Sequence, residues 1–168
     1  PVHMTGNSVY MPDLLYIARR YGCYADVHGP EIPVIEDAAQ AVDAEISGKK
    51  IGSFGIAGEF SLHPLKNLNV WGDGGMVTTN DAKLAKKIRL LRNHGLASRD
   101  VCSVVAGNCR LHTLQAVVAL RLMPEVRSVS NKRIQNAALY DKLLGHVDGV
   151  TLPPRRPDVR QVYHTYVI

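Results

Sequence analysis

The amino-acid sequence predicts an α/β protein with a mostly parallel sheet. Short runs rich in β-branched residues, such as 32–35 and 76–79, alternate over residues 1–92 with stretches whose apolar residues recur at helical spacing. The run 32–35 shows no polar alternation, as expected for a strand that is buried on both faces. Strands that alternate with helices in this way are typical of a parallel sheet covered by helices.

Local signals predict the limits of the first two helices. Pro12 and Asp13 favour the first turn of a helix that ends at Gly22. Asn80 is expected to cap a second helix over residues 81–92. The buried face of that helix is expected to consist of three residues at helical spacing: Leu84, Ile88 and Leu91.

The second half of the chain is predicted to be mainly helical. One helix is expected over residues 112–123 and a longer one over 125–146, with Pro124 as the interruption between them. A proline-rich linker follows, and a new strand is expected over 162–168. The helices and the linker indicate passage into a second domain.

Composition excludes several classes of protein. The chain has 168 residues, enough for a domain with a core, and a net charge of +5 whose basic clusters are not interleaved with aromatic residues. Nucleic-acid binding is therefore not favoured, while a mildly basic surface suits phosphorylated ligands.

The chain has three cysteines, and no two of them have Cys-x-x-Cys spacing, so we expect reduced thiols. No cluster of His, Cys and Asp has the spacing of metal ligands, so we expect no metal. No apolar run is long enough to span a bilayer and no signal peptide is present, so we expect a cytoplasmic protein. Both ends look cut from a longer protein.

Two strand-end residues carry the functional argument. Lys66 follows one predicted strand, and a lysine held there can be tuned to form a Schiff base with an aldehyde cofactor. Asp37 ends an earlier strand, at the edge where open α/β sheets bind ligands. A carboxylate placed against a pyridine nitrogen keeps that ring protonated, and the protonated ring accepts electrons from the substrate. By itself the pair is a weak signal, because strand-end Asp and Lys residues also cap helices and form ion pairs.

Six motifs strengthen this hypothesis. In chain order they are Glu-Asp-Ala-Ala-Gln (36–40), Gly-Ser-Phe-Gly (52–55), Phe-Ser-Leu-His-Pro-Leu-Lys-Asn-Leu (60–68), Gly-Asp-Gly-Gly (72–75), Arg-Asn-His-Gly (92–95) and Gly-Asn-Cys-Arg-Leu (107–111). Together they closely resemble the DegT/DnrJ/EryC1/StrS family of sugar aminotransferases, over the whole chain. The resemblance implies the fold-type-I architecture of enzymes that depend on pyridoxal 5′-phosphate. It implies that residues 1–123 are part of the large, cofactor-binding domain. Residues 124–168 would then be the connecting helix and the start of a smaller α+β C-terminal domain.

The resemblance also implies roles for individual residues. Lys66 corresponds to the lysine that carries the cofactor as a Schiff base and then moves protons. Asp37 corresponds to the carboxylate at the pyridine nitrogen, and Gln40 to the residue beside the phenolic oxygen. Ser61 corresponds to the hydroxyl that holds the cofactor phosphate. Asn108 corresponds to an asparagine that reaches the phosphate in the other subunit's site, which implies a homodimer.

Other residues in these motifs are open to two interpretations. His63 either contacts substrate or only packs beside the site, and Arg110 either places Asn108 or meets the sugar nucleotide. His94 and His164 are expected to be hydrogen-bonded structural histidines. The segment Cys23–Glu31 is longer than the family usually shows, and we expect it to form a bulge at the surface. Sugar 3-dehydratases of the family have histidine at the Schiff-base position, so a lysine there argues against their reaction.

The function implied is transamination. L-glutamate would donate its amino group, through the cofactor, to a keto carbon of a nucleotide-linked deoxy sugar. Members that aminate the 3-keto position match the motifs around Lys66 somewhat better than those that aminate the 4-keto position. Such products enter polysaccharides and glycosylated metabolites. The alternative is a catalytically silent fragment that acts as a folding or dimerisation module.

Overall fold

The computed structural model describes residues 1–22 and 32–168, so the bulge expected at Cys23–Glu31 lies outside the described residues. The helices are α1 (Met11–Gly22), α2 (Ala82–Leu91), α3 (Thr113–Leu122) and α4 (Val126–Leu144). The strands are β1 (Ile35–Asp37), β2 (Glu45–Ile46), β3 (Lys49–Lys50), β4 (Ala57–Ser61), β5 (Gly75–Thr78), β6 (Leu96–Ser98), β7 (Val101–Cys102) and β8 (Val159–Arg160). The predicted α/β class is confirmed.

The sheet that carries the motifs is mixed rather than mostly parallel. Its strand order is β1-β4-β5, with β1 parallel to β4 and β4 antiparallel to β5. Val2 adds a parallel bridge to Asp37 at the β1 edge. Residues 62–74 connect β4 to β5 without a helix. Two consecutive parallel strands usually need a helical crossover between them, so β5 runs antiparallel to β4. The sheet is therefore parallel on one side and antiparallel on the other.

A second, antiparallel sheet has the order β3-β2-β8 and is held by charged side chains. The buried carboxylate of Asp43 accepts hydrogen bonds from Lys50, Arg127 and Arg160, and Glu45 pairs with the first two of these cations. Burial raises the pKa of Asp43, but its three cationic partners outweigh burial and leave the pKa lowered. The network ties the β2–β3 hairpin to α4 and to β8.

Three local predictions need correction. Asp81, rather than Asn80, caps α2, since its Oδ1 accepts hydrogen bonds from the amides of Lys83 at 2.7 Å and Leu84 at 3.1 Å. The strand expected over 32–35 begins only at residue 35, after a proline that has no amide hydrogen for a ladder. The strand expected from residue 162 is absent, and residues 161–168 contain no strand.

The helix predictions are otherwise close. The helix predicted to end at Gly22 does so, and a 3-10 turn over Met123–Glu125 separates α3 from α4 at Pro124. The predicted apolar face of α2 is only partly covered, and Leu91 is 39% exposed. No helix among residues 1–22 and 32–168 combines the length and the apolar character that crossing a membrane requires.

Two clusters of buried apolar residues form the core. One lies between α1, the β1 edge and the second sheet, and contains Met11, Ala18, Val34, Ala38, Ala41, Ala44, Ile46, Ile51 and Val162. The other packs the connection between β4 and β5 against α3 and the start of α4, and contains Leu62, Leu68, Val70, Ala119 and Val126. The second cluster fixes the part of the chain that carries Lys66.

Candidate active site

Lys66 and Asp37 follow neighbouring parallel strands. Asp37 is the last residue of β1 and pairs in register with Glu59 of β4. Ser61 ends β4, and Lys66 lies in the turn that follows. Because carboxyl ends of parallel strands meet at one edge, both side chains belong to the edge where α/β sheets bind ligands. Asp37 Oδ1 accepts a hydrogen bond from the Ala39 amide at 3.0 Å, which fixes the carboxylate.

Residues 62–70, here called the lysine loop, are anchored at both ends. The Val70 amide donates to the Leu62 carbonyl at 3.0 Å, and both side chains are buried. Within the loop the Lys66 amide donates to the His63 carbonyl at 2.9 Å. Lys66 itself is half-buried. A rigid base therefore presents the lysine at the turn of the loop.

Ser61 and His63 make local hydrogen bonds at the start of the lysine loop. Ser61 Oγ accepts from the His63 amide at 3.3 Å, and His63 Nδ1 accepts from the Leu65 amide at 3.3 Å. Accepting a bond leaves the Ser61 hydroxyl hydrogen available for a ligand. His63 is exposed and has its second ring nitrogen outside this turn.

The N-terminal segment connects Asp37 to Gln40. The amide of Asp37 donates to the carbonyl of Pro1, and the Asp37 carbonyl accepts from the His3 amide, each at 2.9 Å. Two residues further on, the Thr5 amide donates to Gln40 Oε1 at 2.6 Å. The amide oxygen of Gln40 is thereby occupied, and its NH₂ group remains as a donor.

Residues 162–165, here called the crossing segment, lie against the lysine loop. Asn67 Nδ2 donates to the Val162 carbonyl at 3.1 Å, and the Val162 amide donates to the Gly6 carbonyl at 3.0 Å. Gly6 has a φ of 82°, and a Cβ there would lie only 2.8 Å from the Tyr163 nitrogen. A side chain at Gly6 would therefore push the crossing segment away from the N-terminal segment.

His164, in the crossing segment, corrects an expectation. Sequence analysis predicts a hydrogen-bonded structural histidine, yet His164 Nδ1 is buried and has no hydrogen-bond partner among the described residues. Burial lowers the pKa of His164, and the nearby charges of Lys66 and Arg133 lower it further. In the sequence, His164 is marked only by its position in a family-like stretch. That position does not distinguish a structural role from a functional one.

Asn108 and Arg110 form a separate group on an exposed loop. Arg110 Nε donates to Asn108 Oδ1 at 3.0 Å, and its Nη1 donates to Asn93 Oδ1 at 3.2 Å. The Cys109 amide donates to the Arg92 carbonyl at 2.9 Å. Within the part of the chain that the structure describes, no hydrogen bond joins this group to the lysine loop. Arg110 is thus placed to orient Asn108, and its other predicted role, contact with the sugar nucleotide, stays a prediction.

Glu36 is a supporting residue that sequence analysis did not single out. Adjacent strand residues point to opposite faces, so Glu36 turns inward where Asp37 turns toward the site edge. Its fully buried carboxylate accepts from His3 Nε2 at 3.3 Å and from three amides at 2.7 to 2.9 Å: Gly52, Phe54 and Gly55. Burial raises the pKa of Glu36, but these hydrogen bonds outweigh it and leave the pKa lowered.

Metal ligation is not indicated by the described residues. Over residues 1–22 and 32–168, no three or more His, Cys, Asp or Glu side chains come together as a metal site would require. The groups at the sheet edge are instead an amine, a carboxylate, an amide and a hydroxyl.

Comparison with known proteins gives consistent matches over the whole chain. The model of the DegT/DnrJ/EryC1/StrS aminotransferase family matches residues 1–168. A UDP-N-acetyl-3-dehydro-α-D-glucosamine 3-aminotransferase of Acidithiobacillus ferrooxidans is 38% identical, over 100% of this chain and 43% of its own length. A dTDP-3-amino-3,4,6-trideoxy-α-D-glucose transaminase of Streptomyces venezuelae is 34% identical, over 100% of this chain and 42% of its own length.

Solved structures show the same likeness. The crystal structure of S. venezuelae DesV, in complex with a ketimine intermediate, superposes with a TM-score of 0.89 at 35% identity. The match covers 99% of this chain and 42% of DesV. The chain thus spans less than half the length of the proteins it matches.

Proposed function

This chain belongs to the DegT/DnrJ/EryC1/StrS aminotransferase family, and on that premise we propose that the protein transfers an amino group from L-glutamate to a nucleotide-linked keto-deoxy sugar. Enzymes of this family depend on pyridoxal 5′-phosphate. The observation that carries the proposal is the position of Asp37 at the end of β1 and of Lys66 beyond the end of the neighbouring parallel strand β4. An amine and a carboxylate at one sheet edge are the two groups that this cofactor needs most.

The residues present fit the cofactor. Lys66 would hold it covalently, Asp37 would face its pyridine nitrogen, and Gln40 would donate its free NH₂ group to the phenolic oxygen. The Ser61 hydroxyl, whose hydrogen is not used within the turn, would donate to the phosphate. When bound, pyridoxal phosphate supplies an aldehyde for condensation with amines and a ring that accepts electrons from the reacting carbon.

The reaction then needs one group that moves protons. In this proposal the Lys66 amine, once freed by the amino donor, would take the proton from the donor carbon that carries the nitrogen and would deliver it to the carbon on the other side of that nitrogen. The Asp37 carboxylate, oriented by the Ala39 amide, would stabilise the positive charge of the ring nitrogen. Neither role requires a metal ion.

The substrate class is supported by the names of the relatives. The A. ferrooxidans relative is named for a UDP-linked 3-dehydro sugar, and the S. venezuelae relative for a dTDP-linked 3-amino deoxy sugar. These names favour the 3-keto position in this protein as well. His63, exposed beside Ser61, and Arg110 are the residues proposed to contact the sugar nucleotide, and the products would serve polysaccharide or amino-sugar biosynthesis.

A direct test uses the full-length protein reconstituted with pyridoxal phosphate. We expect an absorption band in the visible range, and we expect borohydride reduction to attach the cofactor to the peptide that contains Lys66. Mass spectrometry of the digested protein identifies the site. A colourless protein that nevertheless forms a stable dimer would favour the alternative, a silent dimerisation module, and an adduct on another lysine would contradict the assignment.

The proposed homodimer makes a second prediction. If Asn108 serves the partner's site, mixing inactive Lys66→Ala and Asn108→Ala proteins should restore about a quarter of wild-type activity, because half of the dimers are mixed and each has one intact site. Activity is measured after the subunits have been exchanged in mild denaturant. If Asn108 acts within its own subunit, the mixture stays inactive. Val105→Ala is the control, because its side chain lies on the same loop and is fully exposed, and it should retain activity.

A further inference from the structure

We propose that His164 is a neutral hydrogen-bond donor of the Lys66 site, and that it presents its Nε2–H group to an oxygen of the bound substrate. The inference rests on the proposed function, since it takes the Lys66 site to be the place where substrate reacts. The oxygen belongs either to the keto sugar or to the carboxylate of the amino donor, and the experiment below separates the two.

The position of His164 is fixed from three sides. Asn67, the neighbour of Lys66 in the lysine loop, holds the Val162 carbonyl at 3.1 Å. Arg133 of α4 donates from Nη1 to the carbonyl of Tyr163 at 3.0 Å and to that of His164 at 3.5 Å. The backbone of Gly6 packs against the amides of the crossing segment. These contacts hold the backbone that carries the ring in place beside the lysine loop.

The backbone just before His164 is strained. Tyr163 has a φ of 49°, in the left-handed region that a residue with a bulky side chain rarely adopts. Such a conformation persists only where surrounding contacts impose it, and it concentrates at functional sites. The hydrogen bonds from Asn67 and Arg133 are those contacts. The unusual backbone conformation of Tyr163 sets the orientation of the next residue, His164.

The environment of the ring decides its tautomer. His164 Nδ1 is buried without a partner among residues 1–22 and 32–168, whereas Nε2 is not among the buried unpartnered atoms of those residues. A proton on Nδ1 would leave a buried N–H donor unsatisfied, which is costly. The proton therefore belongs on Nε2, and the only donor of the ring points toward the accessible side.

The charges around the ring keep it neutral. Among residues 1–22 and 32–168, the charged groups that act on it are Lys66 on the lysine loop and Arg133 on α4, and both are cations. A second proton would place a third positive charge beside them and would bury an unpaired N–H at Nδ1. His164 can thus donate a hydrogen bond at neutral pH, but it does not compete with Lys66 as the group that moves protons.

Two substitutions separate the ring nitrogens. The amide nitrogen of His164→Gln reaches the position of Nε2, whereas that of His164→Asn reaches only the position of Nδ1. We expect the Gln variant to stay within about threefold of wild type in kcat/KM, and the Asn variant to lose about 10- to 100-fold in one half-reaction, as for one lost hydrogen bond to substrate. Single-turnover measurements, one with L-glutamate added to the pyridoxal form of the enzyme and one with the keto sugar added to the aminated form, identify which substrate supplies the oxygen.

Cofactor attachment at Lys66 should be unchanged in both variants, because the proposed bond is to substrate. His94→Asn is the matched control: His94 also lies in a family-like motif but is exposed, and its substitution should leave both half-reactions unchanged. Equal losses in the Gln and Asn variants, or no loss in either half-reaction, would overturn the proposal.

A readout independent of activity is the ¹⁵N spectrum of the His164 imidazole in the full-length protein. We expect a neutral Nε2–H tautomer at pH 7, which is protonated only below the ordinary histidine pKa of 6.5. An imidazolium or an Nδ1–H tautomer at pH 7 would contradict the inference. If the proposed function itself failed, wild-type protein would be inactive, whereas failure of this inference alone leaves wild type active and the two His164 variants alike.

Discussion

Replacing Lys66 by alanine should abolish transamination in the full-length protein. The variant loses the amine that holds the cofactor and the group that moves the proton, and loss of the proton transfer alone lowers kcat by about 10²- to 10⁴-fold. We expect no borohydride-reducible adduct and no detectable amino-sugar product. Lys66→Arg should fail as well, since a guanidinium stays protonated and cannot act as a base. Product formation, followed by chromatography of the nucleotide sugar, is the measurement.

The control distinguishes lost chemistry from lost folding. Lys86→Ala removes an exposed lysine of α2 and should keep full activity. Added methylamine should partly restore turnover to Lys66→Ala, because a small amine can enter the space left by the side chain and move the proton. An active Lys66→Ala protein that still forms the adduct would show that another lysine carries the cofactor.

The sequence predicted those features that depend on neighbouring residues in the chain. Pro12 and Gly22 are helix-end signals that act within one turn, and Pro124 interrupts the helical hydrogen bonds wherever it stands. Lys66 and Asp37 were singled out as candidates because each lies in a motif at the end of a strand, and their roles stay predictions. The direction of β5 was not predicted, since it depends on the course of the loop between the strands rather than on the strand's own residues.

Features that depend on distant residues were missed. The lack of a hydrogen-bond partner at His164 Nδ1 was not predicted, because nothing in its local sequence shows that Arg133 and Lys66 lie near it. Gly6 resembles any turn glycine until the crossing segment is seen against it. Asn80 and Asp81 are equally good caps by residue type, and the Thr79 hydroxyl, which accepts from the Asp81 amide at 3.0 Å, favours the second.

The largest loss of stability is expected from Glu36. Its carboxylate is the common acceptor for the buried His3 ring and for three amides of the Gly-Ser-Phe-Gly motif. Glu36→Ala leaves these donors unsatisfied in the interior, and removing one partner of such a buried charged network costs about 3–5 kcal/mol. Glu36→Gln should cost somewhat less, because one amide oxygen can still accept, although its NH₂ group then faces other donors. Urea unfolding curves of the full-length protein measure both.

Substitution of Glu36 should also affect the active site. Glu36 precedes Asp37 on β1, and the amides that it holds belong to the loop that leads into β4. We therefore expect weaker cofactor binding in Glu36→Gln, although Glu36 itself does not touch the proposed site. Glu59→Gln is the matched control, because Glu59 pairs with Asp37 across the sheet but is exposed, and it should change stability by less than about 0.5 kcal/mol.

The pH dependence of the free energy of unfolding independently tests whether Glu36 is ionised in the folded protein. The folded-state pKa of Glu36 is lowered from its ordinary value of 4.5, so the ionised carboxylate stabilises the fold above that value. This stabilisation is lost as the pH falls below 4.5 and through the lower folded-state pKa. The stability difference between wild type and Glu36→Gln should accordingly be constant at neutral pH and shrink on acidification. A difference that instead grows toward low pH would mean that Glu36 is protonated in the native protein and that its bonds to the three amides are weaker than the structure indicates.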